Sequence, residues 1–186
     1  GYMAISWITP IQTPLVFVTG EKEGLYRELG DAIATEIQQA HPKIKIQVVS
    51  TAGSLDNAKR LQNNTADLAL VQNDIQATAE IRSITAIHPE LLHFLCHKDS
   101  RIQTLHDLTG KKVAVGLKGS GTERFTLELL GYFGIDPSTF QLIHLPINEA
   151  ANQLVAGELS AILYLTGLGN SAVKKAVGSG NVRFAQ

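Results

Sequence analysis

The sequence predicts an α/β protein built from two similar βα lobes. Strand-like and helix-like segments alternate along the 186 residues, which is typical of this fold class. The two halves also repeat each other. A strand, a glycine turn and a long helix occur around Gly20 and again around Gly116, and an Ala-x-x-Leu pattern precedes an apolar strand at Ala58 and at Ala151. The two spacings are nearly equal, so we expect one lobe over residues 1–92, a second over 93–186, and a cleft between them.

The composition supports a globular binding domain and excludes several other classes. Hydrophobic residues make up 44% of the chain, enough for a buried core. Lys and Arg number 16 against 17 Asp and Glu, so the basic excess of a nucleic-acid binder is absent. The single cysteine, Cys96, excludes an internal disulfide and a multi-cysteine zinc site.

The first lobe opens with a buried strand and a long helix. Residues 15–18 are a continuous apolar run, as expected for a strand buried on both faces. Apolar residues then recur every four positions from Leu25 to Ile37, which predicts a helix that Pro42 ends. Residues 44–48 alternate apolar and polar side chains as a second strand does.

A turn over 51–54, a short helix over 55–61 and a third strand over 68–71 complete the first lobe. Asn73 or Asp74 is expected to cap a further helix.

The second half carries the same alternation. Strands are expected over residues 91–96, 113–115, 142–145, 161–164 and 182–185. Helices are expected over residues 125–133, 149–156 and 172–177.

The glycine-rich turn over residues 116–122 is the most informative candidate site. Its glycines let backbone N–H groups face a cavity, and Ser120 or Thr122 can cap the helix that follows. Such a helix start offers donors and partial positive charge to a carboxylate, phosphate or sulfate. The turn is not a Walker A loop, because Thr122 and Glu123 replace the required Lys and Ser or Thr. The alternative is a plain strand–helix turn.

The turns of the first half supply further candidates. Gly20 and Gly24 flank Glu21 and Glu23, two carboxylates that suit a helix start but repel an anion, or that form a solvated charge cluster.

Thr51, Gly53 and Ser54 can hold a carboxylate, although Ser54 can equally be an N-cap. Asn57 follows one helical turn later. The polar side chains of Gln72 and Asp74 follow a strand end and suit hydrogen bonding to a ligand or, for Asp74, capping.

Neither catalysis nor a metal site is predicted. His93 and His97 share one face of a strand while Cys96 faces the other, and no fourth ligand is evident. Cys96 is expected to be a small buried hydrophobe rather than a nucleophile. No catalytic residue and no cofactor is therefore expected.

Four segments occur in the order found in a known family: residues 17–26, 50–57, 66–74 and 107–122. The chain resembles the TAXI-type solute-binding proteins of tripartite (TRAP) transporters over about residues 15–186. The resemblance implies a type II periplasmic-binding-protein fold that closes on a small organic acid or amino acid such as glutamate, outside the cytoplasmic membrane and without chemistry. It also implies hand-over to membrane transporter subunits, or a role as the sensor domain of a fused receptor.

The resemblance implies that the cleft is lined by Gly24, Tyr26, Thr51, Gly53, Ser54, Gln72, Asp74, Ser120, Gly121 and Thr122. Our interpretation of the turns adds Gly20, Glu21, Glu23, Asn57 and Gly119.

The chain departs from this family in two respects. The family's first loop is rich in Gly and Thr, whereas here Glu21, Lys22 and Glu23 stand there. This difference either argues against an anionic ligand or suggests a zwitterion whose amine meets a Glu. Family members also run beyond Gln186, so the return to the first lobe is missing. The chain is then either a fragment or completes itself by another route such as a dimer.

Three function classes follow. The leading hypothesis is an extracytoplasmic solute-binding module. The alternatives are a cytoplasmic ligand-sensing effector domain of a transcription regulator and an enzyme that uses the same fold. No complete export signal is recognisable, and the mildly apolar residues 1–8 are a cloning remnant, a trimmed signal or the end of a membrane helix.

Overall fold

A computed structural model describes residues 13–76 and 78–185, so the apolar start over residues 1–8 lies outside the described residues. The first lobe is a three-stranded parallel sheet in the order β2-β1-β3. Its elements in chain order are β1 (Leu15–Val18), α1 (Leu25–Ala40), β2 (Ile46–Val49), α2 (Ser54–Gln62) and β3 (Leu68–Ala69).

The second lobe is a five-stranded mixed sheet in the order β6-β5-β7-β4-β8, in which β4 runs antiparallel to both neighbours. Its elements are β4 (Leu91–His97), β5 (Lys112–Ala114), α3 (Gly121–Tyr132), β6 (Gln141–Ile143), α4 (Ile147–Val155), β7 (Ala161–Thr166), α5 (Ser171–Gly178) and β8 (Val182–Phe184). Among the helices that the structure describes, none combines the length and apolar character needed to cross a membrane.

The first lobe and the β5–β7 part of the second lobe share one topology. In each unit, the first strand (β1 or β5) pairs in parallel with the next strand on one side and with the one after it on the other. A helix follows each of the first two strands of both units. The predicted α/β fold with two similar lobes is therefore confirmed. β3 is the last strand of the first sheet and β4 is the first strand of the second sheet. The division of the lobes at residues 92/93 stays a prediction.

The core of the second lobe lies on both faces of its sheet. Adjacent residues of β7 point to opposite sides, so Ile162 packs with α4 and α5 while Leu163 packs in the cluster that holds Leu130 of α3. Cys96 is fully buried in that second cluster, as predicted, and burial raises its pKa to about 11. Within the described ranges no group of His, Cys, Asp and Glu could hold a metal ion.

The helix predicted after Asn73 or Asp74 is wrong. The described residues between β3 and β4 form turns and irregular backbone, and Ile84 there is 82% exposed. An apolar face without a partner surface does not stabilise a helix. Asp74 pairs with Arg124 of α3 instead of capping.

Candidate functional site

The glycine turns of the two lobes face each other across a narrow cleft. A side chain at Gly53 would meet the Cα atom of Ser120 at 3.6 Å, and one at Gly121 would collide with the side-chain amide of Gln72. Gly53 also has a φ of +120°, a backbone conformation that favours glycine. A cavity of about 70 Å³ lies between the turns.

Most of the predicted site residues line this cavity. They are Gly20, Glu21, Gly24, Tyr26, Gly53, Ser54, Gln72, Ser120, Gly121 and Thr122. The cavity wall does not include Glu23, Thr51, Asn57, Asp74 or Gly119. That any of these residues binds a ligand remains a prediction.

Thr51 and Asn57 form a buried hydrogen-bonding network beneath the cavity. The Thr51 hydroxyl lies 2.6 Å from Asn57 Oδ1. Asn57 Nδ2 donates to the carbonyl of Thr19 and, at 2.7 Å, to that of Leu70. Both carbonyls lie just past strand ends, so the network fixes the turns rather than facing the cavity.

The other three residues make contacts near the cleft. Asn148 Nδ2 of the second lobe donates to Glu23 at 2.8 Å, and Arg124 pairs with Asp74, so both contacts join the lobes. Gly119 N–H donates to Glu123 at 2.6 Å and shapes the turn before α3.

The start of α3 has the donor geometry that the sequence predicts. Ser120 is the N-cap, and its hydroxyl accepts from Glu123 N–H at 3.1 Å. The backbone N–H groups of Gly121 and Thr122 find no acceptor among the described residues. The first N–H groups of a helix lack intrahelical partners, so these two are available to a bound anion.

Ser54 is not the N-cap of α2, so the alternative interpretation of Ser54 from the sequence is wrong. Gly53 holds the cap position of α2, and the Ser54 hydroxyl accepts from Gln72 N–H at 3.1 Å. The starts of α1 and α2 also line the cavity, through Gly24 and Gly53. The starts of α4 and α5 belong to the same wall, so five helix N-termini bring partial positive charge to one place.

Two carboxylates oppose that charge. Glu21 accepts from the Tyr164 hydroxyl at 2.5 Å and from Ile147 N–H at 3.2 Å, both in the second lobe. Glu90 accepts from Gln72 Nε2 at 3.0 Å and from the Tyr26 hydroxyl at 3.3 Å. Burial is the main cause that raises the pKa of both carboxyl groups.

Sequence reasoning missed several residues of the cavity wall, including Glu90, Ile147, Tyr164, Thr166 and Asn170. Ile147 and Asn170 belong to the starts of α4 and α5, and neither start carries a motif like that of residues 116–122. Among the described residues that line the cavity, none is Lys, Arg or His.

A family model described as the NMT1-like family matches residues 17–186. Solved structures with the same fold include the periplasmic aliphatic sulphonate binding protein SsuA from Escherichia coli. It is 20% identical with a TM-score of 0.55, and the match covers 94% of this chain and 60% of that one.

Two further structures resemble this chain. One is a binding protein component of an ABC phosphonate transporter from Pseudomonas aeruginosa, with 12% identity, a TM-score of 0.64, and coverage of 93% of this chain and 64% of that one. The other is the CcmR regulatory domain of Synechocystis in complex with 2-PG, with 17% identity, a TM-score of 0.63, and coverage of 92% and 79%. The chain thus spans about 60% of the length of the sulphonate-binding protein.

Proposed function

Because the chain belongs to the NMT1-like family, we propose that it binds a small polar solute in the cleft between its lobes and catalyses no reaction. The observation that carries this proposal is the meeting of glycine turns from both lobes around one cavity. The unpartnered N–H groups of Gly121 and Thr122 suit a carboxylate of the solute. An organic acid or an amino acid such as glutamate fits this chemistry.

The cellular role in this proposal is extracytoplasmic capture for a membrane transporter or a fused receptor. The resemblance of four segments, residues 17–26, 50–57, 66–74 and 107–122, to TAXI-type proteins favours a TRAP transporter. The similar solved structure from Pseudomonas aeruginosa is described as part of an ABC transporter, so solute capture is proposed for either type of transporter, with the TRAP type favoured.

A second candidate function is that of the effector domain of a cytoplasmic regulator, which the likeness to the CcmR regulatory domain supports. An export signal or a helix-turn-helix encoded upstream would separate the two.

Titration calorimetry tests the binding function directly. The probes are the common L-amino acids, C4 and C5 dicarboxylates, a short alkanesulfonate and a short alkylphosphonate. We expect saturable binding of at least one probe at one site, accompanied by a rise in melting temperature. Silence across all probes, with protein that unfolds cooperatively, would contradict the proposal.

A further inference from the structure

We propose that Glu90 receives an ammonium group of the solute, which makes the solute a small amino acid rather than a simple carboxylic acid. This inference rests on the proposed solute-binding function and narrows the class of solute. It concerns a residue in the irregular connection between β3 and β4, where the sequence shows no binding motif.

The carboxylate of Glu90 is only half satisfied by the protein. Gln72 Nε2 and the Tyr26 hydroxyl both donate to the same oxygen, Oε2. The other oxygen, Oε1, receives no hydrogen bond from the described residues, although Glu90 forms part of the cavity wall. This second oxygen is left to accept a hydrogen bond from outside the chain, from water or from a ligand.

Gln72 points to the same chemistry. Its side-chain oxygen Oε1 is buried and has no hydrogen-bond partner among the residues described, while its nitrogen is used on Glu90. The amide lies against Gly121, at the wall of the cavity. An ammonium group carries three donors and no acceptor, so one bound at Glu90 could also satisfy this oxygen once the Gln72 side chain moves away from Gly121.

Glu21, the other acidic residue of the wall, is already engaged. One of its oxygens accepts from the Tyr164 hydroxyl at 2.5 Å, and Ile147 N–H lies within 3.4 Å of both oxygens. A ligand amine at Glu21 would have to displace these contacts between the lobes. The sequence suggests that a Glu of the first turn meets the amine, and the geometry assigns this role to Glu90 instead.

The charge of the cavity supports an amine. No described lining residue is Lys, Arg or His, so the only full charges in the wall are the two carboxylates. A dicarboxylate would place further negative charge beside them, which costs free energy by like-charge repulsion. An amino acid instead brings its carboxylate to the helix starts and its ammonium to Glu90.

Calorimetry with matched pairs of ligands tests the inference on the wild-type chain. The probes are L-alanine with propionate, L-aspartate with succinate and L-glutamate with glutarate, each pair differing by one amino group. We expect at least one amino acid to bind at least tenfold more tightly than its deaminated partner. For that amino acid, Glu90→Gln should weaken binding at least tenfold, whereas Glu36→Gln on the exposed face of α1 should leave it unchanged.

Each contrary outcome has a separate meaning. If a deaminated acid binds as tightly as its amino acid, or if folded Glu90→Gln keeps wild-type affinity, the assignment of Glu90 fails and solute binding stands. If none of these six probes or those of the preceding screen binds folded protein, both proposals fail. Should Glu90→Gln not fold, the comparison of the paired ligands on the wild type still decides, and Glu90→Asp provides the second variant.

Discussion

Gly121 illustrates how the absence of one side chain shapes the cleft. A Cβ atom there would collide with Gln72 Oε1, at the free end of a flexible side chain that can move aside. We therefore expect Gly121→Val to weaken solute binding at least tenfold while changing the free energy of unfolding by only about 1 kcal/mol. Calorimetry and urea unfolding measure the two quantities.

Gly131 on the same helix is the matched control, because a side chain there would meet nothing within 4 Å. Gly131→Val should leave affinity unchanged. Equal affinity of Gly121→Val and wild type would remove this turn from the site.

The buried carboxyl groups of Glu21 and Glu90 make the stability of the protein depend on pH. Burial raises the pKa of both, so the folded state holds their protons more tightly than the unfolded state does. The free energy of unfolding should therefore fall as pH rises from the ordinary glutamate pKa through the raised values.

Urea unfolding of the ligand-free protein between about pH 4 and pH 8 measures this dependence. Glu90→Gln removes one titrating group and should flatten the curve, whereas Glu36→Gln should run parallel to wild type. A Glu90→Gln curve parallel to wild type would contradict the argument.

The sequence predicts single residues well where local geometry decides their place. Gly53, Ser120 and Gly121 lie in turns after strands, so their position at the cavity follows from the strand–turn–helix pattern. Glu90 and Tyr164 could not be predicted in this way, because only the folding of one lobe onto the other brings them to the cavity.

Among helices and strands, α2 shows how a residue with ligand-like chemistry can serve the fold. Asn57 is fully buried and joins α2 to the ends of β1 and β3 through Thr19 and Leu70. Asn57→Ala should lower the free energy of unfolding by about 1–3 kcal/mol, because the Leu70 carbonyl loses its donor while the Thr19 carbonyl keeps only its bond from the Thr51 hydroxyl.

Urea unfolding checks this value, with the exposed Asn63→Ala as the control. A loss below about 0.5 kcal/mol would mean that water or a rearrangement replaces the network.

Helices were predictable where a repeat of apolar residues and a residue that ends a helix agree. The apolar stripe from Leu25 and the stop at Pro42 predict α1, which the structure shows as Leu25–Ala40. A cap residue alone, as at Asp74, was not enough to predict a helix. A cap stabilises only a helix that also buries a face, and Ile84 in this connection stays exposed.

The architecture of the two lobes together follows from the repeat, since nearly equal spacings predict equivalent units, and the orders β2-β1-β3 and β6-β5-β7 agree. The spacing carries no information on how closely the lobes approach. That depends on contacts between residues far apart in the chain, such as Glu21 with Tyr164.

Glu21 joins the two lobes by hydrogen bonds in this conformation. Its carboxylate, in the turn after the first strand, accepts from the start of α4 and from the Tyr164 hydroxyl. Glu21→Ala should make the amide proton of Ile147 exchange roughly tenfold faster or more, because a hydrogen bond to a charged group is lost. The radius of gyration from small-angle scattering should rise as the cleft opens. Amide exchange by NMR gives the first readout on ligand-free protein.

Tyr164→Phe tests whether each contact of Glu21 helps to hold the lobes together, because it removes one donor to Glu21 and leaves the Ile147 contact in place. This variant should open the cleft less than Glu21→Ala, and Glu28→Ala on the exposed side of α1 should not open it. If scattering is unchanged in Glu21→Ala, then the Asp74–Arg124 and Glu23–Asn148 pairs hold the lobes together without it, and closure does not depend on this carboxylate.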